Sequence, residues 1–143
     1  MTPLPVALTC GEPAGIGPEI AVKAWEALQD GPSFFLIGDP SHIPPGCKIV
    51  EISHPSETNG AFPSGLPVLQ QRFHGPRTPG LAQASQAKDV IAAIETAVRL
   101  TIDGQAAAVC TNPINKKALK DGAGFSYPGH TNFSQLLGAM QTL

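Results

Sequence analysis

The chain has 143 residues, 42% of them hydrophobic, which is enough for one compact domain with a real core. Nine basic against eleven acidic residues leave a net charge of −2 with no basic run to neutralise a row of phosphates, which argues against nucleic acid as a partner. No stretch reaches the ~18 apolar residues of a membrane span, and the N-terminus lacks the charged start and long apolar run of a signal peptide, so a cytoplasmic address is expected.

Pro5 to Cys10 is a short apolar run closed by Gly11 and predicts a buried strand. A Gly-rich turn follows. Pro18 is suited to a first helical position, and Ile20, Ala21, Ala24, Trp25 and Leu28 recur at helical spacing, which predicts a helix from Pro18 to Leu28. Ser33 to Ile37 is the next strand, stopped by Gly38-Asp39-Pro40. From Ser41 to Gly80 only short strands are expected, at Lys48 to Ile52 and Pro67 to Gln70, between Pro-rich loops. Between Gly80 and Gly104 the apolar positions Ala84, Ala87, Ile91, Ile94 and Val98 mark the strongest helix, with Gln83, Gln86, Asp89 and Glu95 on its other, polar side. Ala106 to Thr111 predicts a further strand, and Pro113 forces Asn112 to be extended. A short helix begins near Asn115, and another is expected over Asn132 to Met140. Alternating strands and helices indicate an α/β protein with a largely parallel sheet and flanking helices.

Three cysteines, Cys10, Cys47 and Cys110, are widely spaced, form no Cys-x-x-Cys pair, and are read as small buried thiols. The chemistry concentrates in three loops that follow predicted strands, where ligands collect in open α/β sheets. The first runs from Gly11 to Glu19. Its glycines Gly15 and Gly17 permit close backbone approach, and the helix after it offers free N–H groups to an anion. The spacing matches neither the dinucleotide fingerprint nor a Walker loop, so a purely structural turn remains the alternative. The second, Thr111-Asn112-Pro113-Ile114-Asn115-Lys116-Lys117, places polar side chains and two lysines at a strand end. The lysines point in different directions on a helix, so at most one faces a site. The third, Tyr127 to Asn132, holds His130, for which substrate binding and a surface or capping role both fit. His42, His54 and His74 lack metal-site spacing, and no metal ligand is assigned.

The segments Ala7 to Ile20, Thr111 to Lys116 and Gly124 to Thr131, taken in order, resemble the 4-hydroxythreonine-4-phosphate dehydrogenase family of pyridoxal phosphate biosynthesis. The resemblance implies the N-terminal portion of a two-domain α/β fold like that of isocitrate and isopropylmalate dehydrogenases, working as a homodimer on a small phosphorylated substrate. It implies NAD- or NADP-dependent oxidation of 4-phosphohydroxy-L-threonine, followed by decarboxylation to an aminoketone phosphate. A divalent metal (zinc, cobalt or magnesium) would assist both steps. His130 and Thr131 match the family's substrate-binding pair. Gly15, Gly17, Thr111 and Asn112 are candidate anion or substrate contacts from the loop reading alone, and no specific catalytic residue is assigned.

The family's three metal-binding histidines and the last lobe of its nucleotide site have no counterpart within residues 1–143. The fragment by itself is therefore expected to be inactive and to self-associate through an uncovered apolar surface. Two departures stand out: Asn132 where the family usually has Glu, and Asn115 where many members have His. Two alternatives accompany this reading. One is a catabolic relative that oxidises another phosphorylated four-carbon hydroxy acid. The other is a non-catalytic anion-binding domain.

Overall fold

A computed structural model of the protein describes residues 3–124. Five short strands, β1 (Val6–Thr9), β2 (Phe34–Gly38), β3 (Ile49–Ile52), β4 (Leu66–Gln70) and β5 (Val109–Thr111), form one sheet in the order β3-β4-β2-β1-β5. Every pairing is parallel, with Val6 opposite Phe34, Ala7 opposite Val109 and Leu36 opposite Val68. The β2 residues are buried throughout, as a central parallel strand covered on both faces requires.

Helices α1 (Gly17–Ala27), α2 (Thr58–Ala61), α3 (Ala87–Ile102) and α4 (Lys116–Ala123) cover the two faces. On one face, Ile20 and Ala24 of α1 lie over Val6, Leu8 and Phe34. There Trp25 Nε1 donates to Phe62 O at 2.7 Å, and Phe62 packs edge-on against Phe34. Strand alternation turns Ala7 and Thr9 to the opposite face. That face is covered by α3, whose Val90, Ala93, Ile94 and Ala97 are fully buried, with α4 packed on α3. Among the described residues no helix is long and apolar enough to cross a membrane.

The structure agrees with the sequence reading on the five strands and three of the helices and corrects it in detail. Gly17 opens α1 with Pro18 in its first turn, as the Gly-Ile-Gly-Pro run predicts. The last strand is shorter than the apolar run Ala106 to Thr111. Ala106 N–H bonds back to Leu100 O and Ala107 N–H to Pro5 O, so the chain is still leaving α3 before β5 begins. Gln86 and Asp89, expected on the polar side of α3, are buried. The preceding loop supplies partners for both: Gln86 Nε2 donates to Gly75 O and Pro76 O, although its Oε1 has no partner among the described residues, and Asp89 accepts from the backbone and ring nitrogens of His74.

The cysteines also divide. Cys10 is buried, Cys47 half-buried and Cys110 exposed, because β5 is the edge strand and α1 does not reach across its outer face. The helix expected over Asn132 to Met140 and the cap at Asn132 lie outside the described residues.

Candidate active-site wall at the sheet switch point

From β1 the chain moves to β2 on one side, and from β4 it crosses back past β2 and β1 to reach β5 on the other. The loops leaving β1 and β5 therefore flank the point where the winding reverses, the usual ligand crevice of an open α/β sheet. The two loops are bonded together. Glu12 N–H donates to Pro113 O at 2.9 Å and Asn112 N–H to Thr9 O at 3.3 Å.

Glycine is required at two points of this junction. Gly11 has φ +70°, and a Cβ there would sit 2.5 Å from Pro113 O and 2.9 Å from Asn112 Cβ. A Cβ on Gly17 would overlap Cys10 O and press on Asn112 Cβ at 3.3 Å. Asn112 is buried at the centre of the junction, and its Nδ2 donates to Gly17 O at 3.3 Å, joining the strand end of β5 to the first residue of α1. Beneath the turn, burial pushes the Cys10 thiol up to about 12, so it stays protonated at neutral pH and packs as an apolar group.

A cavity of about 610 Å³ opens between the loops, lined by Glu12, Ala14 and Gly15 from the first, Pro113, Asn115 and Lys116 from the second, and Gly80 from a third segment. Asn115 caps α4 by accepting Ala118 N–H at 3.0 Å, which presents Lys116 to the cavity. Lys117 faces away and approaches Asp121 at 3.7 Å. Of the residues expected to meet a ligand, Gly15 lines this cavity. Gly17 is packed beneath the turn, and Thr111 and Asn112 line a neighbouring apolar cavity of about 420 Å³ with Val6, Leu8, Ile20 and Cys110. His130 and Thr131 lie outside the described residues.

Two contributors carried no signal in the sequence reading. Glu12 stood inside the glycine turn without a role, yet it is only 7% exposed and its Oε1 accepts Ala14 N–H at 3.0 Å. Arg77 lies in the stretch from Ser41 to Gly80 that offered no signature. Its guanidinium reaches back to the turn, donating to Pro13 O at 2.7 Å, to Gly15 O at 2.8 Å and to the carboxylate of Glu19. Gly80 N–H adds a bond to Ala14 O at 2.8 Å. A helical or strand period could not have revealed Arg77, because its partners are backbone carbonyls about sixty residues earlier. Among the described residues no group of three His, Cys, Asp or Glu side chains is placed to hold a metal ion.

Residues 32–142 match the family described as pyridoxal phosphate biosynthetic protein PdxA. The sequence is 50% identical over 138 residues to the 4-hydroxythreonine-4-phosphate dehydrogenase of Ruegeria sp. (strain TM1040), covering 96% of this chain and 42% of that protein. It is 48% identical over 133 residues to the enzyme of the same name from Roseobacter denitrificans, covering 93% and 41%. A crystal structure of a 4-hydroxythreonine-4-phosphate dehydrogenase from Burkholderia phymatum superposes with a TM-score of 0.82 at 29% identity, covering 94% of this chain and 44% of the other. The chain thus spans less than half the length of the relatives it matches.

Proposed function

The chain belongs to the PdxA family, and from that premise we propose that it forms one wall of the active cleft of a dehydrogenase that oxidises 4-phosphohydroxy-L-threonine. The observation that carries the reading is this family match on a fold whose two signature loops are bonded together around one cavity at the switch point. A nicotinamide cofactor, NAD or NADP, would accept the hydride, and the resulting 3-oxo acid would lose carbon dioxide to give the aminoketone phosphate. The part of these residues is to bind and orient. Lys116 offers a cation to a phosphate or carboxylate, Gly15 lets the backbone come close, and His130 and Thr131, which match the family's substrate-binding pair, bind substrate. Thr111 and Asn112 act from beneath, Asn112 by fixing the position of Gly17.

The divalent metal and the remaining nucleotide contacts belong to residues beyond those described, and the working unit is a homodimer in the cytoplasm. Residues 1–143 by themselves are accordingly expected to reduce no NAD. A full-length family protein containing these residues should form NADH from 4-phosphohydroxy-L-threonine, and His130→Ala should lower kcat/KM by about 10-fold or more with the fold unchanged, as expected for loss of a substrate hydrogen bond. Oxidation of a phosphorylated four-carbon hydroxy acid with no turnover of the aminated substrate would instead identify a catabolic relative. Phosphate binding without turnover of either would identify a binding module. Wild-type kinetics in His130→Ala would remove that residue from the site.

A further inference from the structure

We infer that Arg77 is a positioning residue for ligand binding: it holds the crest of the glycine turn, Ala14 and Gly15, in the shape that a ligand in the 610 Å³ cavity meets. The inference rests on the dehydrogenase reading above and deepens it. The turn has a base and a crest, and they are held differently. Its base is fixed by close packing: Glu12 N–H donates to Pro113 O, and neither Gly11 nor Gly17 has room for a Cβ. The crest lacks that support, for Ala14 and Gly15 are only half-buried and Ile16 is exposed. Within the turn, Ala14 N–H donates to Glu12 Oε1 and Gly15 N–H to Glu12 O, each at 3.0 Å. Among the described residues, the other hydrogen bonds of the crest come from the segment 77–80. Arg77 donates through Nε to Pro13 O and through Nη2 to Gly15 O, while Gly80 N–H donates to Ala14 O. Three consecutive carbonyls are thus drawn onto one segment, and the cavity wall formed by Ala14 and Gly15 takes its shape from those bonds.

Arg77 can hold the crest because it is itself held. Its side chain is only 13% exposed, and a guanidinium so withdrawn from water needs a counter-charge. Glu19 supplies it from the first turn of α1, with Oε2 at 2.9 Å from Nη2. The planar fork then fixes the direction of the bonds to the two carbonyls ahead of the helix. The chain that carries Arg77 is anchored in turn, because Gly75 O and Pro76 O accept from Gln86 at the N-cap of α3. None of the hydrogen-bond partners of Arg77 among the described residues lies in a strand, so its loss should loosen the crest while the sheet stays folded. A ligand must then reorder the crest as it binds, and its apparent affinity falls in proportion to the fraction of molecules already in order. Once the site is filled the crest is in place, and turnover proceeds as before.

The test measures kcat and the KM values for 4-phosphohydroxy-L-threonine and for NAD, in a full-length family protein containing these residues and in its Arg77→Ala and Arg77→Lys variants. Arg77→Ala should raise KM for at least one of the two compounds by about 5- to 30-fold, the factor set by losing one or two hydrogen bonds to a charged donor. Its kcat should stay within about twofold of the unaltered value, as when binding alone is lost. Arg77→Lys should lie between, because lysine keeps the charge and loses the fork. Guanidinium ion at low millimolar concentration should bring the raised KM of Arg77→Ala back toward the unaltered value. A residue needed for folding alone behaves otherwise: a smaller folded fraction lowers apparent kcat and leaves KM where it was. Unchanged KM for both compounds in Arg77→Ala therefore overturns the assignment, whether or not kcat falls. Should Arg77→Ala fail to fold, Arg77→Lys carries the test, with a rise in KM of about threefold or more expected and an unchanged KM overturning it. In those cases turnover by the unaltered protein still supports the dehydrogenase reading. If the unaltered protein does not oxidise the substrate, the dehydrogenase reading fails and takes the inference with it.

Discussion

The glycine turn after β1 and the segment from Phe73 to Gly80 lie against each other, yet they are built by different means. The turn is held by main-chain bonds and by backbone approaching backbone so closely that only glycine fits at Gly11 and Gly17. The segment beside it is fastened largely by side chains. Phe73 N–H donates to Asp39 and His74 N–H to Asp89, while Gly75 O and Pro76 O accept from Gln86; Arg77 then grips the turn. Close backbone packing restricts residue type, whereas a side-chain fastening needs only a polar group of sufficient length. One region is consequently written into the sequence as a motif and the other is not, although both position the same cavity.

Substitutions should separate the two modes of construction. The largest loss is expected for Gly11→Ala, which adds a Cβ at 2.5 Å from Pro113 O and places an L-residue at φ +70°. A destabilisation of about 3 kcal/mol or more follows from combining overpacking with a left-handed backbone. Chemical denaturation measures it directly, and a loss below about 1 kcal/mol would mean that the turn relaxes and the two loops are not rigidly joined.

An intermediate loss is expected for Arg77→Lys. Lysine keeps the charge near Glu19 but cannot donate through a fork to Pro13 O, Gly15 O and the carboxylate together. The expected cost is about 1–2 kcal/mol, held down by the partial exposure of Glu19. Amide exchange should quicken in residues 13–16 more than in the strands. Unchanged exchange there would show that Arg77 is not what holds the turn.

The smallest effect concerns Asp39. Burial pushes its carboxyl upward, but the Ser41 hydroxyl and the N–H groups of Phe73 and Ser41 outweigh that and hold it below the usual carboxylate range. A carboxyl lowered in the folded state stabilises the fold above its unfolded pKa, and that contribution is lost as pH falls through the folded value. Acidification below about pH 4 should therefore loosen the Phe73 end of the segment, by about 1 kcal/mol or less in so open a site. Asp39→Asn should flatten this part of the acid dependence. A variant with the same acid profile as the unaltered protein would assign the effect to another carboxylate.

Local patterning made most of the scaffold readable. The run Pro5 to Cys10, the spacing of Ile91, Ile94 and Val98, and Pro18 behind a glycine pair each specify an element through short-range sterics and burial. The sequence alone therefore determined an α/β chain with its signature loops at strand ends, and the resemblance of those loops determined the family. Tertiary structure decided which loops meet. Strand order β3-β4-β2-β1-β5 brings Gly11 against Pro113 across a hundred residues, and no local period encodes an order of strands. It also decided that Gln86 and Asp89 are buried on a face that periodicity marked as polar, where a neighbouring loop supplies partners to Gln86 Nε2 and to the Asp89 carboxylate. Glu12 follows the same rule: its identity is local, but its burial beside a cavity shared with Lys116 exists only once two distant strand ends are fastened together.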